Sequence, residues 1–293
     1  MDQGQSPSAA DDRNHLLIAP QPWIAGLTDI GRRHHRNEDA LALAASAEPG
    51  GRAVLVVCDG VSTATDSHIA SETASQAVLA RLGQPMPRDG VTEDDWLAVV
   101  ARAFTEAAEA GSRAATATAA DGDPSPPSCT LAAAIVEQGM VVGGNVGDSR
   151  VYWLPDVGPE RAVQLGRDDS MANELIRRGV ARAEAEATPS AHAITRWLGR
   201  EAPADLSPHL AHLLVQEPGW LLVCSDGLWN YCSDPADLWD LMQRACAERG
   251  PAPSAVVEAL VAFANGQGGM DNITAIVARV EPWPTADQRD SAR

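Results

Sequence analysis

The sequence predicts an α+β fold built on antiparallel sheets, and two observations predict it. Short apolar segments of strand length recur along the 293 residues, with amphipathic helices in pairs between them. The segments 131–136 and Met140–Val146 are separated only by Glu137-Gln138-Gly139, a spacing that makes them a hairpin.

Taken in order, residues 1–20 are polar and rich in Pro, Ser and Asp, as are 282–293. Both read as flexible tails around one folded unit, 21–281. A first strand is expected over 23–28 and a second over 54–58, where Ala53-Val54-Leu55-Val56-Val57-Cys58 runs into Asp59-Gly60. A hairpin tip there would need a second apolar run two to five residues on. Instead Val61-Ser62-Thr63-Ala64-Thr65-Asp66 is polar and leads to a helix marked by Ala70, Ala74, Ala77 and Val78. Asp59 therefore reads as a carboxylate at a strand end. Thr92 caps a second helix whose Trp96, Val99, Val100, Ala103, Phe104 and Ala107 share one face. The Pro-rich stretch 121–127 is a loop. After the hairpin, Gly147-Asp148-Ser149-Arg150 opens a strand over 151–154. A helix over 171–178 stops at Gly179. Strand 221–224 ends in Ser225-Asp226-Gly227. Asp234-Pro235 begins a helix carrying Leu238, Leu241, Met242 and Ala245. Ser254 begins another, with Val256, Val257, Leu260, Val261 and Ala264. Asp271-Asn272 precedes the last strand, Ile273–Val280.

Composition narrows the function. A formal net charge of −18 argues against nucleic acid or an anionic membrane as the main partner. No stretch approaches the ~20 apolar residues of a membrane helix. The first residues lack the basic and apolar regions of a signal peptide. Cys58, Cys129, Cys224, Cys232 and Cys246 form no Cys-x-x-Cys pair, which fits free thiols. A cytoplasmic protein is expected. His192 reads as an ordinary structural or surface histidine.

Asn37-Glu38-Asp39, Asp59-Gly60, Ser225-Asp226-Gly227 and Asp271-Asn272 place acidic residues in or beside strands and turns. Carboxylate and carbonyl oxygens suit Mg²⁺ or Mn²⁺, and two such ions can activate water and clamp a phosphoryl group.

These segments carry a family resemblance. In register they run from Gly31-Arg32-Arg33-His34-His35-Arg36-Asn37-Glu38-Asp39-Ala40 and Val57-Cys58-Asp59-Gly60-Val61, through Thr130-Leu131-Ala132-Ala133-Ala134 and Gly147-Asp148-Ser149-Arg150-Val151-Tyr152. Leu222-Val223-Cys224-Ser225-Asp226-Gly227-Leu228 and Gly269-Met270-Asp271-Asn272-Ile273-Thr274 complete them. The chain resembles the metal-dependent protein phosphatases of type 2C, the PPM family, in its bacterial branch. The resemblance implies a four-layer αββα sandwich: two antiparallel sheets flanked by helix pairs, with a flap segment near the cleft, here about 164–199. It implies hydrolysis of phosphoserine and phosphothreonine in proteins by a metal-activated water, opposing a Ser/Thr kinase. Two core Mn²⁺ or Mg²⁺ ions would be held by bridging Asp59, the Gly60 carbonyl, Asp226 and Asp271. Glu38 and Asp39 would hold metal-bound waters, and Asp148 would join Asp226 at a third, weaker site. Ser149 and Arg150 read as structural.

The departures from the family pattern are specific. Ser62-Thr63 replaces a frequent Gly-Gly, Ser128-Cys129-Thr130 replaces Gly-Thr-Thr, and Val61 stands where eukaryotic members carry a histidine. The phosphate-holding arginine's position is occupied by His34, with Arg33 and Arg36 as competing sources of charge. An arginine offers a permanent planar fork, whereas a histidine offers one or two donors and titrates. His34 is the expected phosphate contact. The alternative function is a non-catalytic regulatory or phospho-binding relative with the same fold, but no candidate metal carboxylate is missing. A different two-metal hydrolase, such as a nuclease, would be expected to show histidine ligands or a basic track.

Overall fold

The computed structural model describes residues 13–284, apart from 87, 89 and 192. The elements in chain order begin with β1 (His15–Gln21), β2 (Ile24–Asp29), β3 (Ala40–Ala45), β4 (Arg52–Cys58), α1 (Ser67–Leu82) and α2 (Glu93–Ala117). Then come β5 (Ser128–Cys129), β6 (Leu131–Glu137), β7 (Met140–Val146), β8 (Arg150–Pro155) and β9 (Val163–Leu165). After α3 (Met171–Arg177), α4 (Arg182–Glu186), β10 (Leu198–Gly199), β11 (His209–Leu214) and β12 (Gly219–Cys224), the chain closes with α5 (Asp226–Trp229), α6 (Pro235–Arg249), α7 (Pro253–Gln267) and β13 (Ile273–Val280).

Period-2 alternation with both faces apolar builds the layers. In β4, Val54, Val56 and Cys58 pack under α1 and α2, while Ala53, Leu55 and Val57 face the other sheet. In β12, Trp220, Leu222 and Cys224 face α6 and α7, while Leu221 and Val223 enter the space between the sheets. Among the described residues, one antiparallel sheet has the order β1-β2-β13-β12-β8-β9 and the other β11-β7-β6-β4-β3. The result is the expected α+β sandwich of two sheets between helix pairs. Between β9 and β10, α3 and α4 close over a small core of their own, Ala172, Ala185 and Ala191. The β6–β7 hairpin turns on Gln138-Gly139, both at positive φ (48° and 75°), the backbone that matches the twist of its strands.

Three expectations need correction or narrowing. Residues 15–20 are not tail: they form β1, paired antiparallel with β2 from His15↔Asp29 to Ile18↔Gly26. As an edge strand, β1 leaves much of its surface exposed, and its short apolar run Leu16-Leu17-Ile18-Ala19 sits between a polar leader and Pro20. Residues 1–12, 285–293 and His192 lie outside the described residues. Val99 of α2 is 40% exposed, whereas Trp96, Val100, Ala103, Phe104 and Ala107 are buried. The apolar stripe is narrower than the pattern of residues implied. The last helix begins at Pro253 behind Ala252 rather than at Ser254. All five cysteines are free. Among the described residues no helix is long and apolar enough to cross a membrane.

Candidate metal centre

Strand register brings the separated acids to one end of the sandwich. β4 runs out at Cys58, across from Ala40 at the start of β3, so Asp59 and Asp39 are neighbours. Val57 pairs with Ala132 and Leu131 with Val146, which puts Asp148, just past β7, at the same end. On the facing sheet, Cys224 pairs with both Arg150 and Ala275, so Asp226 and Asp271 arrive there too.

Local contacts then set each carboxylate. The Asp59 backbone is locked from both sides: its N–H donates to Thr130 Oγ1 at 3.2 Å, and its carbonyl accepts from Thr130 N at 2.8 Å. Thr130 Oγ1 in turn lies 2.7 Å from Ser149 Oγ. Gly60 passes so close to Glu38 that an added Cβ would stand 2.7 Å from the Glu38 carbonyl. Asn272 ties the Ile30–Glu38 loop down: its Oδ1 accepts from Glu38 N at 2.8 Å, and its Nδ2 donates to the carbonyls of Ile30 (2.8 Å) and Arg36 (3.2 Å). Gly31, at φ 74°, is forced by the same fit, because a Cβ there would sit 2.1 Å from the Asp271 carbonyl. Asp226 opens α5 and accepts from Asn230 Nδ2 at 3.0 Å.

The electrostatics record the convergence. Burial pushes the Asp59 carboxyl well above the ordinary range, and Asp39, Asp226, Asp271 and Asp148 push it further. Burial also holds Asp39 up at about 7, against the Ser225 hydroxyl that donates to it at 2.7 Å, with Asp271 and Asp226 adding to the rise. Asp148 is raised by burial first and then by Asp226 and Asp168, with Arg150 opposing. The buried carboxyls of Asp39, Asp59 and Asp148 are thus all disfavoured as charges, with Asp226 and Asp271 among the causes, and a divalent cation relieves such a field. Among the described residues no three His, Cys, Asp or Glu side chains stand close enough to cage a metal by themselves. The donor set fits hard cations that also take carbonyl and water oxygens.

The rim departs from a simple phosphate clamp. His34 is drawn to the acids, with Nε2 3.2 Å from Asp271 Oδ1. Arg33 Nη1 rests 3.5 Å from Met270 Sδ. Arg36 leans toward the start of α1, 3.5 Å from Asp66 Oδ1 and 3.3 Å from His68 Nδ1. Of the three basic candidates, His34 is the one in contact with a candidate metal carboxylate.

Sequence reasoning assigned no role to Asn272 or Thr130 as the residues that hold the acids in place. Asn272 had a usable signal, since an asparagine beside a turn readily satisfies neighbouring backbone groups. The flap's fastening was also missed. Asp169 Oδ2 accepts from Gly147 N at 3.1 Å, Asp169 N donates to the Gly147 carbonyl at 2.8 Å, and Thr195 N donates to the Asp169 carbonyl at 2.8 Å. Asp169 therefore ties the start of the flap to the turn that carries Asp148, and Thr195 on the flap's return is tied to Asp169.

Comparison with known proteins places the chain in a family. The family model for protein phosphatase 2C matches residues 30–263. Protein phosphatase PhpP of Streptococcus pneumoniae is 28% identical over 253 residues, 86% of this chain and 94% of that protein. Among solved structures, the PPM Ser-Thr phosphatase MsPP from Mycobacterium smegmatis, in complex with cacodylate, superposes with a TM-score of 0.66 at 28% identity, covering 88% of this chain and 97% of that one. The catalytic domain of the serine/threonine protein phosphatase PstP, in complex with 2 manganese ions, gives 0.63 at 25% identity, covering 91% and 100%. On that match, over most of its length, the chain belongs to the protein phosphatase 2C family and is a phosphoprotein phosphatase.

Proposed function

We propose that this enzyme hydrolyses phosphoserine and phosphothreonine in proteins with two divalent cations, Mn²⁺ or Mg²⁺, and that its substrates are the products of a bacterial Ser/Thr kinase. The observation that carries the reading is that strand register gathers Asp39, Asp148, Asp226 and Asp271 around the buried carboxyl of Asp59 at one end of the sandwich. PstP, of the same fold, is in complex with 2 manganese ions, and the relatives that match are bacterial Ser/Thr phosphatases.

Asp59, the Gly60 carbonyl, Asp226 and Asp271 would hold the core ions, Glu38 and Asp39 their waters, and Asp148 with Asp226 a third ion. Bound there, such ions supply Lewis-acid neutralisation of phosphoryl charge and lower the pKa of water. The chain's own residues do the positioning. Thr130 fixes the Asp59 backbone, Asn272 fixes the loop bearing Glu38, and the Asp271 contact holds the His34 imidazole at the rim. From there His34 offers a donor to the phosphate. Val61 supplies no proton, so protonation of the leaving oxygen falls to water or to another group at the site.

The test is hydrolysis of p-nitrophenyl phosphate with EDTA, Mn²⁺ or Mg²⁺, followed by a phosphopeptide panel. Turnover should stop with EDTA and return with the metal. Metal-independent turnover at an undiminished rate would sink the two-metal reading.

A further inference from the structure

Beside the candidate metal centre lies a second recess, of about 270 Å³. Its walls include Val61 and Ala64 from the loop after Gly60, Pro126, and Ile194 and Trp197 from the flap's return, with Glu201 at one side. It is continuous with the catalytic loop through paired backbone. Gly60 bridges Cys129, Cys129 pairs with Leu198, and Trp197 directly precedes Leu198. Its floor is braced by Val61 N donating to the Ser128 carbonyl (3.0 Å) and Ser125 Oγ donating to the Thr63 carbonyl (2.6 Å). The loop that places Asp59 and the wall that places the indole are therefore one rigid unit.

The volume suits one amino-acid side chain and is too small for a cofactor. The chemistry of the walls narrows which one. Aliphatic groups and an indole accept a long alkyl stem, and the indole face attracts a cation. No Arg, Lys or His lines the recess, and among the described residues Glu201 has no ion-pair partner. The net charge of −18 favours cationic segments in general.

We propose that this recess is a substrate subsite that takes an arginine flanking the phosphorylated residue, with its stem on Ile194 and Trp197 and its guanidinium at Glu201. The assignment rests on the phosphatase reading above. It makes Trp197 and Glu201 specificity-determining residues for the peptide and gives the chemistry itself to the carboxylates.

The test is a phosphothreonine peptide library with Arg, Leu or Glu placed singly at each position from −3 to +3. Values of kcat/KM would be measured for wild type, Trp197→Ala, Glu201→Gln and Glu201→Lys, with p-nitrophenyl phosphate turnover in each preparation as reference. Wild type should prefer Arg at one flanking position. Trp197→Ala and Glu201→Gln should each cut the Arg-to-Leu ratio about threefold to fivefold, in line with exposed cation–π and ion-pair strengths. Glu201→Lys should shift the preference at that position toward Glu. Preference for Leu, no preference, or an Arg preference unmoved by all three variants would overturn the subsite while p-nitrophenyl phosphate is still turned over. If wild type hydrolyses neither the small substrate nor any peptide, the phosphatase reading falls and the subsite with it.

Discussion

Replacing Arg150 should unlock the flap and cost the fold heavily. Its side chain is 2% exposed. Nε lies 3.1 and 2.9 Å from the two Asp168 carboxylate oxygens, Nη2 lies 2.6 Å from Asp168 and 3.1 Å from Glu186, and Nη1 donates to the Tyr152 hydroxyl at 3.1 Å. The guanidinium carbon stands 3.5 Å from the centre of the Trp229 ring. Arg150→Leu leaves Asp168, 7% exposed, as an uncompensated buried charge. Removing one partner of such a pair costs about 3–5 kcal/mol. At about 2 °C per kcal/mol for a domain of this size, Tm should fall by roughly 6–10 °C. Arg150→Leu with Asp168→Asn should recover much of the loss, because no orphan charge remains. Acid adds a second arm. Burial raises the Glu186 carboxyl, but the Ser233 hydroxyl and Arg150 more than offset it, leaving it below its ordinary 4.5. A depressed folded value means that the contribution is full above pH ~4.5 and is lost as pH falls through the folded value. Arg150→Leu should flatten that acid loss. Urea and thermal unfolding, at neutral pH and from pH 6 to 3, provide the assay. A single variant within about 1 kcal/mol of wild type, or one with the same acid slope, would refute the reasoning.

The other predictions concern the candidate site. Asp59→Asn should lower kcat by at least ~100-fold, while the metal-free Tm holds or rises as a repelled buried charge disappears; wild-type turnover would remove Asp59 from the site. Asp148→Asn should bind the core metals normally by calorimetry yet turn over slowly, and an unchanged kcat would leave the third site without a role. His34→Arg should lower KM at pH 8 by supplying a permanent fork, whereas Arg36→Ala, whose guanidinium is turned to Asp66, should change KM less than His34→Ala. A larger KM loss in Arg36→Ala would give the phosphate to Arg36. Gly31→Ala should cost about 1–3 kcal/mol in urea unfolding and weaken Mn²⁺ binding, because its Cβ would meet the Asp271 carbonyl; a stable variant with unchanged affinity would show that the loop adapts freely.

Legibility varied with burial. Strands β4, β7, β12 and β13 announced themselves because both faces are buried, so nearly every residue is apolar. The edge strands β1 and β11 did not, since much of each faces solvent, β1 has only four apolar residues before Pro20, and His212 interrupts β11. Strand β3, Ala-Leu-Ala-Leu-Ala-Ala, carries little β-forming preference and gains its place from pairing with β4. The cap at Thr92 and the start at Asp234-Pro235 were readable because a cap is chosen by its immediate neighbours. The stacking of two sheets was not, because period-2 burial on both faces says only that something covers each face.

The sequence by itself offered the candidates for the chemistry: acids at strand ends that form an all-oxygen donor set, with a histidine, by family resemblance, at the position of a phosphate-holding arginine. Short-range pattern suffices for that, because a strand end and the residue after it are neighbours in the chain. Only the tertiary structure decided that positions 39, 59, 148, 226 and 271 share one field, that Arg36 turns outward while His34 meets Asp271, and that Asp169 fastens the flap to the Asp148 turn. Those outcomes depend on register across sheets and on backbone contacts such as Glu38 with Asn272, 234 residues apart. No local preference encodes a contact of that span, and the packed sandwich selects it.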